Sequence, residues 1–537
     1  MPVIRTFISH VGARVIGVLG AWCAMHAGVA AHAQASSSPP PSSFYISEYE
    51  VIGVRHLGRL DVERAVYPFL GPERTVEDVE AARAALEKAY RDRGYQTVSV
   101  QVPRQDARRG VVLLQAVEST VGRLRVHGSK YHDLERIKRK APSLREGSLP
   151  DFDKINQDII ALNRLPDLRV TPSLRAGATP GTVDIDLDVK DSYPLHGSLE
   201  VNNRHNSGTT PWRLNAALRY DNLWQLGHSL GLSYQVAPER PDDARVWSGF
   251  YLARLPQSDS ISFLLQGSKQ DSDVSTLGGA AVAGRGNVLG ARLLFTLPGG
   301  DGFYQTLAFG MDYKKFEQDI AAGGGLISTP VTYYPFTLSH TAGWRGKGHS
   351  TELNSALIWH LRRLGTDGDD FNKRRSGSDD GFFYYRGDLA HTHDLDGGFQ
   401  AYGRLQGQIS SGALINNEQL AGGGLATVRG YLESTALGDN GVFATLELRS
   451  PNFLPHEKDS KDNEWRVYAF AEGGRLKLRA PLLDQQSTTD LASVGLGSRV
   501  RVREHFNASV DAGLPLTREG DTRVGELFVT LRFWAEF

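Results

Sequence analysis

The residue whose surroundings are most informative for chemistry is Arg429, which stands in the sequence Val428-Arg429-Gly430-Tyr431. The glycine-rich connection around it, residues 418–434, is too long for a hairpin turn, and long connections in compact folds are usually functional. A guanidinium enclosed in such a place loses hydration, and a bidentate carboxylate restores both charge balance and hydrogen bonds. We therefore interpret the connection as a gate or lid whose arginine needs an acidic partner.

A second motif, Gly227-His228-Ser229-Leu230-Gly231, matches the nucleophile-elbow pattern of esterases. That motif requires a strand, a sharp turn and a helix, whereas Ser229 begins an alternating segment that runs to Val236. The sequence also offers no coherent set of an acid, a base and a nucleophile. We therefore expect a protein that is not an enzyme.

A third motif, His391-Thr392-His393-Asp394, contains residue types that bind metal ions. On a strand, His391 and His393 share one face while Asp394 points to the other. This spacing favours a rim hairpin over a metal site, and the sequence predicts no metal and no cofactor.

The N-terminus has the layout of a secretory signal peptide over residues 1–33: Arg5 and Arg14 precede an apolar stretch that ends at Ala31-His32-Ala33. The single cysteine, Cys23, lies in this leader, so the mature chain has no disulfide and no cysteine metal site. Residues 34–43 are rich in serine and proline and predict a linker. The net charge of −1 gives no indication of nucleic-acid binding.

The segments 44–117 and 118–192 repeat one order of elements, which is strand, helix, helix, strand, strand. In the first copy, Asp61 and Thr75 are expected to cap helices that end at Leu70 and Arg93. The closing hairpin is predicted to pair 97–102 with 111–117. In the second copy the predicted elements are a strand at 121–126, helices at 133–140 and 151–162, and a hairpin of 168–174 with 183–189.

After Pro194, alternating segments follow one another, separated by clusters of Gly, Asp, Asn and Pro. About sixteen can be drawn, an even number inside the range of bacterial outer-membrane barrels. Many reach the roughly 9 to 11 residues that a tilted strand needs to cross a bilayer. The predicted fold is mainly β, with an α+β N-terminal part and an antiparallel transmembrane β-barrel over residues 193–537. The named segments are 212–220, 229–236, 246–252, 261–267, 291–297, 304–313, 351–361, 384–390, 399–409, 442–448, 466–470, 494–502 and 506–512.

The last segment places an apolar row on one face, Leu527, Val529, Leu531, Phe533 and Ala535. Phe537 ends this row, which resembles the end signature that the assembly machinery of outer-membrane barrels reads. Phe533 and Phe537 are the residues expected to carry that signal. An ordinary two-sided strand of a soluble barrel is the alternative.

Two such repeats before about sixteen strands, together with Val428-Arg429-Gly430-Tyr431, resemble the outer-membrane transporters of two-partner secretion, the haemolysin-activator and filamentous-haemagglutinin-transporter family. In that family the repeats are periplasmic polypeptide-transport-associated (POTRA) domains, and the arginine motif is the tip of a long loop folded back into the barrel. The resemblance implies a gating loop over about 412–440. The residues that look like this loop and the strand after it are Glu418, Gly423, Gly424, Val428, Arg429, Gly430, Tyr431, Gly438, Asp439, Gly441 and Glu447.

The family also has a Phe-x-Asp-x-Gly motif whose acid holds the loop arginine, and this chain has Phe470-Ala471-Glu472-Gly473-Gly474. The resemblance implies that Glu472, flanked by Phe470 and Gly474, is the lumen partner of Arg429, although glutamate replaces aspartate. The alternative is that both are solvated lumen charges. Pairing predicts that exchanging the two charges partly restores a function lost on reversing either one.

The resemblance implies a transporter that binds an unfolded exoprotein in the periplasm and secretes it through the barrel. The implied partners are a β-helical, adhesin-like or haemolysin-like exoprotein with an N-terminal secretion domain, the outer-membrane lipids and the barrel-assembly machinery. An exposed POTRA strand edge accepts an extended client by β-augmentation. The edge expected to do so in the first domain is Thr97, Val98, Ser99, Val100 and Gln101, and plain domain core is the alternative for its valines.

Rival functions are a factor that inserts other barrels into the outer membrane, a passive porin and an outer-membrane hydrolase. The linker at 34–43 spans at most about 35 Å, too short for a helix and a return linker. We therefore expect a barrel without a helical plug, in which the Arg429 loop is the main obstruction.

Overall fold

The computed structural model describes residues 43–255, 258, 260–271, 274–275, 282–283, 285–317, 319–322, 325–328, 330–454, 463–483 and 485–537. The expected signal peptide and nearly all of the expected linker lie outside these residues. The prediction of a barrel without a helical plug depends on that linker, so it falls outside the described residues as well. Among the described residues, none of the helices is long and apolar enough to cross a bilayer.

The first α/β domain contains a parallel pair flanked by an edge strand, since its sheet has the order β2-β5-β4 and β2 runs parallel to β5. A separate pair, β1 with β3, adds a strand that the sequence did not predict. The elements are β1 Phe44–Ile46, β2 Glu48–Ile52, α1 Arg59–Val66, β3 Gly71–Arg74, α2 Val76–Arg91, β4 Ser99–Gln101 and β5 Val111–Val117.

Several boundaries in this domain differ from the prediction, including the end of α2, which lies at Arg91 and not at Arg93. Helix α1 begins after Gly58, which caps it without a side-chain hydrogen bond, and Asp61 lies in its first turn. It also ends at Val66, because a 3₁₀ turn with Pro68 follows. The strand expected at 97–102 shortens to the three residues of β4. The edge itself is retained, because β4 is the last strand of its sheet.

The second α/β domain has the predicted order of strand, helix, helix, strand, strand. Asp133 and Asp151 cap its helices, with side chains that accept the N–H groups of Arg136 and of Lys154, respectively. The sheet has the order β6-β8-β7, with β6 parallel to β8. The elements are β6 Thr120–His127, α3 Leu134–Arg139, α4 Phe152–Asn163, β7 Leu168–Ala176 and β8 Thr182–Asp191.

Asp191, at the end of β8, holds the connection that follows β6 in place through hydrogen bonds. Its carboxylate accepts the N–H of Tyr131 at 2.7 Å, the N–H of Lys130 at 2.9 Å and the hydroxyl of Ser129 at 3.0 Å. Burial alone would raise the pKa of Asp191, but these hydrogen bonds to its charged form outweigh burial and hold the pKa below its ordinary value.

The rest of the chain forms a closed antiparallel barrel in which β31 pairs with β9. Strands β20 and β21 both pair with β17 and occupy one position, so the described residues give the sixteen predicted strand positions. The barrel strands are β9 Leu195–Asn202, β10 Arg213–Leu223, β11 His228–Val236, β12 Arg245–Arg254, β13 Ile261–Asp271, β16 Arg285–Gly300, β17 Phe303–Glu317, β20 Val331–Tyr333, β21 Phe336–Gly346, β22 His349–His360, β23 Phe382–Asp394, β24 Gln400–Ser410, β27 Asn440–Arg449, β28 Glu464–Lys477, β29 Thr488–Val502, β30 Phe506–Pro515 and β31 Phe528–Glu536.

Smaller elements lie in the connections between these strands. Helix α5 stands between β22 and β23, and each short strand pair forms a hairpin within one connection. These elements are β14 Val274–Ser275, β15 Val282–Ala283, β18 Asp319–Ala322, β19 Gly325–Ser328, α5 Gly368–Arg374, β25 Leu420–Gly422 and β26 Ala436–Gly438.

The barrel has two distinguishable ends. The turn between β10 and β11 contacts the second α/β domain, because Gln225 accepts the N–H of Asp133 at 3.1 Å and donates to the carbonyl of Tyr131 at 2.9 Å. We call this the proximal end, and the opposite end the distal end. Both chain ends of the barrel lie at the proximal end, where the backbones of Gly197 and Phe537 exchange two hydrogen bonds of 3.0 Å.

The two faces of β31 differ as the sequence predicts. Phe533 and Val529, on the apolar row, are 48% and 37% exposed, whereas Thr530 on the other face is buried. The Phe537 ring covers Gly197, where a Cβ atom would lie 2.1 Å from the ring. A glycine at this position therefore lets the last residue close over the first strand.

Candidate functional site

The long loop 411–439 leaves β24 at the distal end and returns to β27 there. Its two limbs pair as the hairpin of β25 and β26, and its tip carries Val428 and Arg429, both of which are buried. Gly423 and Gly424 have φ values of 100° and 86°, a region that glycine adopts without strain. The loop is therefore folded into the barrel, as the sequence predicts.

Arg429 lies in a buried site whose carboxylates come from the neighbouring strands β27 and β28 and from β30. Its Nε and Nη2 donate to Glu472 Oε1 at 2.9 and 2.6 Å, and its backbone N–H donates to Glu472 Oε2 at 2.6 Å. Nη2 also donates to Glu447 Oε1 at 2.7 Å, and Nη1 donates to Asp511 Oδ1 at 2.9 Å. The guanidinium is thus bonded to three carboxylates and not to Glu472 alone.

Glutamate has a longer side chain than aspartate, and at position 472 it contacts both the side chain and the main chain of Arg429. One oxygen of Glu472 takes the side chain of Arg429, and the other takes the main chain of the same residue. Glu472 therefore fixes both the charge and the backbone of the loop tip. Phe470 lies beneath the guanidinium, 3.7 Å from the ring centroid to Cζ, which adds a cation–π contact.

The acids around Arg429 have further partners. The other oxygen of Glu447 accepts Arg449 at 2.7 and 2.9 Å, and the Tyr468 hydroxyl donates to Asp511 at 2.7 Å. Two arginines thus face three carboxylates, which leaves this group with a formal charge of −1. Without Arg429, the three buried carboxylates would face one arginine, Arg449, which is energetically costly.

Gly430 and Tyr431 fix the tip against β29 and β30. Gly430 has a φ of 93°, and it approaches the strand so closely that a Cβ atom at Gly513 would lie 2.6 Å from its nitrogen. The Tyr431 hydroxyl donates to the carbonyl of Ala492 or Thr517, at 3.0 and 2.7 Å. The tip and the hairpin share one buried apolar cluster with the barrel strands. Its members are Leu420, Val428, Tyr431, Ala436, Phe443, Leu476 and Leu491.

A second ionic site, Glu418, holds the base of the loop. This buried carboxylate accepts Lys314 Nζ at 2.6 Å and the hydroxyls of Tyr333 and Tyr384 at 2.5 and 2.6 Å. The tyrosines belong to a buried aromatic cluster that also contains Phe371 of α5. Helix α5 therefore folds into the distal end of the barrel beside the loop.

A third site, Asp439, joins the returning limb to the connection after α5. Arg375 donates to its two oxygens at 2.6 and 2.8 Å, and the backbone N–H groups of Leu414 and Arg479 donate at 2.8 and 2.6 Å. Asp439 is completely buried. The outgoing limb is thus bonded to barrel strands through Glu418, and the returning limb is bonded through Asp439 to the connections after α5 and after β28.

A fourth contact joins the loop to the connection after the first barrel strand. Arg204 Nε donates to Glu433 Oε1 at 2.7 Å, and the Glu433 N–H donates to the carbonyl of His205 at 3.0 Å. Asn206 Nδ2 donates to the Glu433 carbonyl at 2.9 Å. The loop tip therefore contacts both β30 and the connection that follows β9.

The structure brings together most of the predicted loop residues and adds others. Glu447, named only as part of the strand after the loop, is a ligand of Arg429, and Asp511 was not named at all. Gly474 has a different place, because a Cβ atom there would lie 2.0 Å from Phe443 and not near the arginine. The alternation of Asn507, Ser509 and Asp511 marks an inward polar face, which is the signal that could have drawn attention to Asp511.

The predicted client edge in the first domain divides into core and surface. Val98 and Val100 are buried, at 4% and 3% exposure, whereas Gln101 is exposed. Thr97 precedes β4 and its hydroxyl faces the carbonyl of Ser119 at 3.4 Å. The valines are therefore domain core, and the accessible part of the edge is the backbone of β4 with Gln101.

The esterase-like motif does not have the arrangement that catalysis by that motif needs. Ser229 lies in β11, which pairs with β10 and β12, and the next main element is a strand and not a helix.

The fold and the loop site define the class of protein: an outer-membrane β-barrel preceded by POTRA domains. Residues 44–119 match the family model described as POTRA domain, ShlB-type, and residues 332–500 match the model described as haemolysin secretion/activation protein ShlB/FhaC/HecB. Two stretches of the chain are therefore similar to this haemolysin secretion/activation family of outer-membrane transporters. The chain is an outer-membrane protein with periplasmic POTRA domains, so the proximal end of the barrel is the periplasmic end.

Relatives with similar sequences are transporters. The outer membrane transporter CdiB of Dickeya dadantii is 24% identical over 409 residues, which cover 73% of this chain and 70% of the relative. The heme/hemopexin transporter protein HuxB of Haemophilus influenzae is 20% identical over 461 residues, covering 83% and 79%. These relatives are transporters and not enzymes.

Solved structures show the same fold. CdiB from Escherichia coli matches with a TM-score of 0.65 at 20% identity, covering 95% of this chain and 93% of that chain. BamA from Haemophilus ducreyi lacking POTRA domains 1–3 matches with a TM-score of 0.55 at 16% identity, covering 92% and 100%.

Proposed function

We propose that this transporter binds an unfolded exoprotein in the periplasm through its first POTRA domain and secretes it through its barrel. The observation that carries the proposal is the loop inside the barrel. It is held by ionic contacts at Arg429, Glu418 and Asp439, which can be broken and remade without unfolding a strand. The client would pass along the lumen once the loop tip has moved.

The energetic cost of moving the tip is compatible with a gate. Breaking a buried ion pair so that its partners stay uncompensated costs about 3–5 kcal/mol. The cost falls when the released carboxylates meet water or the polar groups of an incoming chain, because charge and hydrogen bonds are then restored. The closed state is therefore stable without a client, while an extended chain in the lumen can favour release.

The client-binding edge supports the first step. The N–H of Val100, in the middle of β4, donates to Glu87 Oε1 at 3.2 Å, and its carbonyl lies 3.5 Å from Arg83 Nη1. Arg83 and Glu87, both on α2, also pair with each other at 2.9 Å. Side chains of α2 thus cover the polar groups of an edge strand, as proteins commonly do to prevent unwanted pairing. An extended client would replace these two side-chain contacts with main-chain hydrogen bonds.

Photo-crosslinking tests this step in the full-length protein in outer membranes. A photoreactive residue replaces Gln101, which is exposed on β4, or Glu50, which is exposed on β2 at the opposite edge of the same sheet. We expect a secretion-arrested exoprotein to crosslink at position 101 and not at position 50. Equal crosslinking at both positions would contradict binding by β-augmentation at β4.

Export itself is tested by expressing the protein with and without a candidate large secreted partner. We expect the partner in the medium only when the transporter is present, with the amounts of other outer-membrane proteins unchanged. A general loss of outer-membrane barrels on deletion would instead indicate an assembly factor and contradict the secretion proposal.

A further inference from the structure

Three histidines meet on the outer face of the barrel at its periplasmic end. His349 begins β22 and lies directly opposite His393 of β23, and His391 lies opposite Thr351. All three histidines are exposed. They share a face with Leu389, which is 42% exposed, while Asp388 on the other face pairs with Arg404. The sequence could pair His391 with His393, but only the strand register adds His349.

The three rings lie close together and nearly parallel. Their centroids are 6.1 Å apart for His391 and His393, 6.4 Å for His349 and His393, and 6.5 Å for His349 and His391. The interplanar angles are between 20° and 27°. The three imidazoles thus form a compact triangle on one surface.

Two of these rings are already oriented by hydrogen bonds at Nδ1. His349 Nδ1 faces the carbonyl of Lys347 at 3.3 Å, which can only accept, so this nitrogen carries the proton when the bond forms. His391 Nδ1 lies 2.8 Å from the hydroxyl of Thr351. With the proton on Nδ1, as at His349, Nε2 keeps its lone pair available, which is the usual arrangement of a metal-binding histidine.

We propose that His349, His391 and His393 form a binding site for a divalent first-row transition-metal ion. Imidazole nitrogens suit zinc, copper and nickel, whereas magnesium and calcium prefer oxygen ligands. Three histidines with water as a fourth ligand are an established zinc arrangement. The site differs from the motif considered from sequence alone, because Asp394 is replaced by a histidine from the neighbouring strand.

Side-chain rotations are needed to form the site. Zinc–nitrogen bonds of about 2.0–2.1 Å place the centroids of two bound imidazoles about 5 Å apart. Among the described residues the donor nitrogens of the three histidines do not all lie within 4.8 Å of one another. The rings therefore need to turn and to converge by about 1–1.5 Å, which rotations about χ1 and χ2 of exposed side chains can supply. A bound ion would link β22 and β23 beside Trp344, which lies opposite Thr351 and is 41% exposed.

A second cluster, Asp167, His196 and Asp221, provides a useful comparison. Its donor atoms lie within 4.8 Å of one another. However, His196 Nε2 is bonded to Asp167 at 2.8 Å, and Asp221 accepts Arg219 at 2.9 Å. These groups are already paired with each other and with a cation, so we assign the metal to the histidine triangle.

The test is calorimetric titration of the full-length protein in detergent, carrying an affinity tag without histidine and stripped of metal, with Zn²⁺ and separately with Ni²⁺. We expect one ion per chain. Replacing a ligand, as in His349→Ala, His391→Ala or His393→Ala, should weaken binding about tenfold or more, because an exposed site has no other enclosure to retain the ion. Retention of heat-modifiable migration in gels verifies that each variant is folded.

Two variants outside the histidine triangle, His505→Ala and His196→Ala, serve as controls. His505 is exposed in the turn between β29 and β30 at the same end, and its Nδ1 faces the carbonyl of Glu536 at 2.8 Å. We expect His505→Ala to bind zinc as the unchanged protein does. The same affinity in the triple alanine variant as in the unchanged protein, or loss of binding on His196→Ala alone, would overturn the assignment.

Discussion

Replacing Arg429 with methionine is the most direct test of the loop site. Methionine retains much of the side-chain length but removes four guanidinium hydrogen bonds, two to Glu472 and one each to Glu447 and Asp511. Three carboxylates then share one remaining cation, Arg449. Removing one partner from a buried ion network costs about 3–5 kcal/mol, and every 1.4 kcal/mol is a tenfold change in equilibrium. We therefore expect the opening equilibrium of the tip to rise by about two to three and a half orders of magnitude.

Hydrogen exchange measured by mass spectrometry reads this change directly. Two amides of the tip report its docking, since Gly423 N–H is bonded to the Thr427 hydroxyl and Glu433 N–H to the His205 carbonyl. Their exchange should accelerate by the factors above. The Asp439 amide, bonded to Lys477 at the base, should change much less because its anchor is separate.

The matched control is Arg292→Met. Arg292 also pairs with a lumen carboxylate, Asp312, at 2.9 and 3.0 Å, and both belong to strands far along the wall from the tip. This variant should leave the exchange of Gly423 and Glu433 unchanged. A tip that exchanges less than tenfold faster in Arg429→Met, or equally fast in both variants, would refute an ionic latch.

The same geometry revises what a charge exchange should do. With Arg429→Glu and Glu472→Arg combined, the pair between the two residues is formally restored. The new glutamate at position 429 would nevertheless face Glu447 and Asp511, which now hold the arginine at 2.7 and 2.9 Å. Two like charges about 4 Å apart repel by about 4 kcal/mol at an effective dielectric of 20. We therefore expect the exchange not to restore secretion, and substantial recovery would contradict the three-acid site.

Three further outcomes are expected. Arg375→Ala should loosen the base of the loop and raise exchange of the Asp439 amide, because it removes the charged donor to that carboxylate; unchanged exchange would show that the backbone donors suffice. Gly430→Ala should impair docking of the tip, since alanine at a φ of 93° costs about 1–2 kcal/mol, whereas normal secretion would contradict the need for glycine. Asp191→Asn should destabilise the second POTRA domain by about 2 kcal/mol at neutral pH, as measured by exchange of residues 129–133. Its stabilisation is present above the ordinary aspartate pKa of about 3.9 and is lost as the pH falls through the lower folded-state pKa, so the variant and the unchanged protein should converge in acid.

The sequence contains much of the architecture because alternation is a local property. The apolar row that includes Val529 and Phe533 predicts the lipid face of β31, and the repeated order of elements predicts α3 and α4. Glu472 could be named because it belongs to a short contiguous motif that a known family shares. The helix start at Gly58 was missed because glycine caps through its backbone conformation and leaves no polar side chain to recognise.

The remaining parts of the loop site depend on closure of the barrel. Asp511 lies 82 residues after Arg429, and no local pattern relates the two. Their contact requires the register of β28, β29 and β30 and the path of the loop across the lumen. Likewise, Lys314 reaches Glu418 across 104 residues. Such contacts follow from the tilt and stagger of a closed sheet, which single-strand periodicity does not specify.

The chemistry of the loop anchors indicates how the loop should move. At the tip, one arginine forms ion pairs with three acids. Once these groups separate, each of them can be hydrated or can bind a polar client. At the base, Glu418 shares its site with the buried rings of Tyr333 and Tyr384, so opening there would expose apolar surface as well as charge. Asp439 adds main-chain bonds that a client's polar side chains cannot easily replace. The base therefore costs more to open than the tip, and we expect the loop to swing away from β30 about a fixed base rather than leave the lumen as a whole.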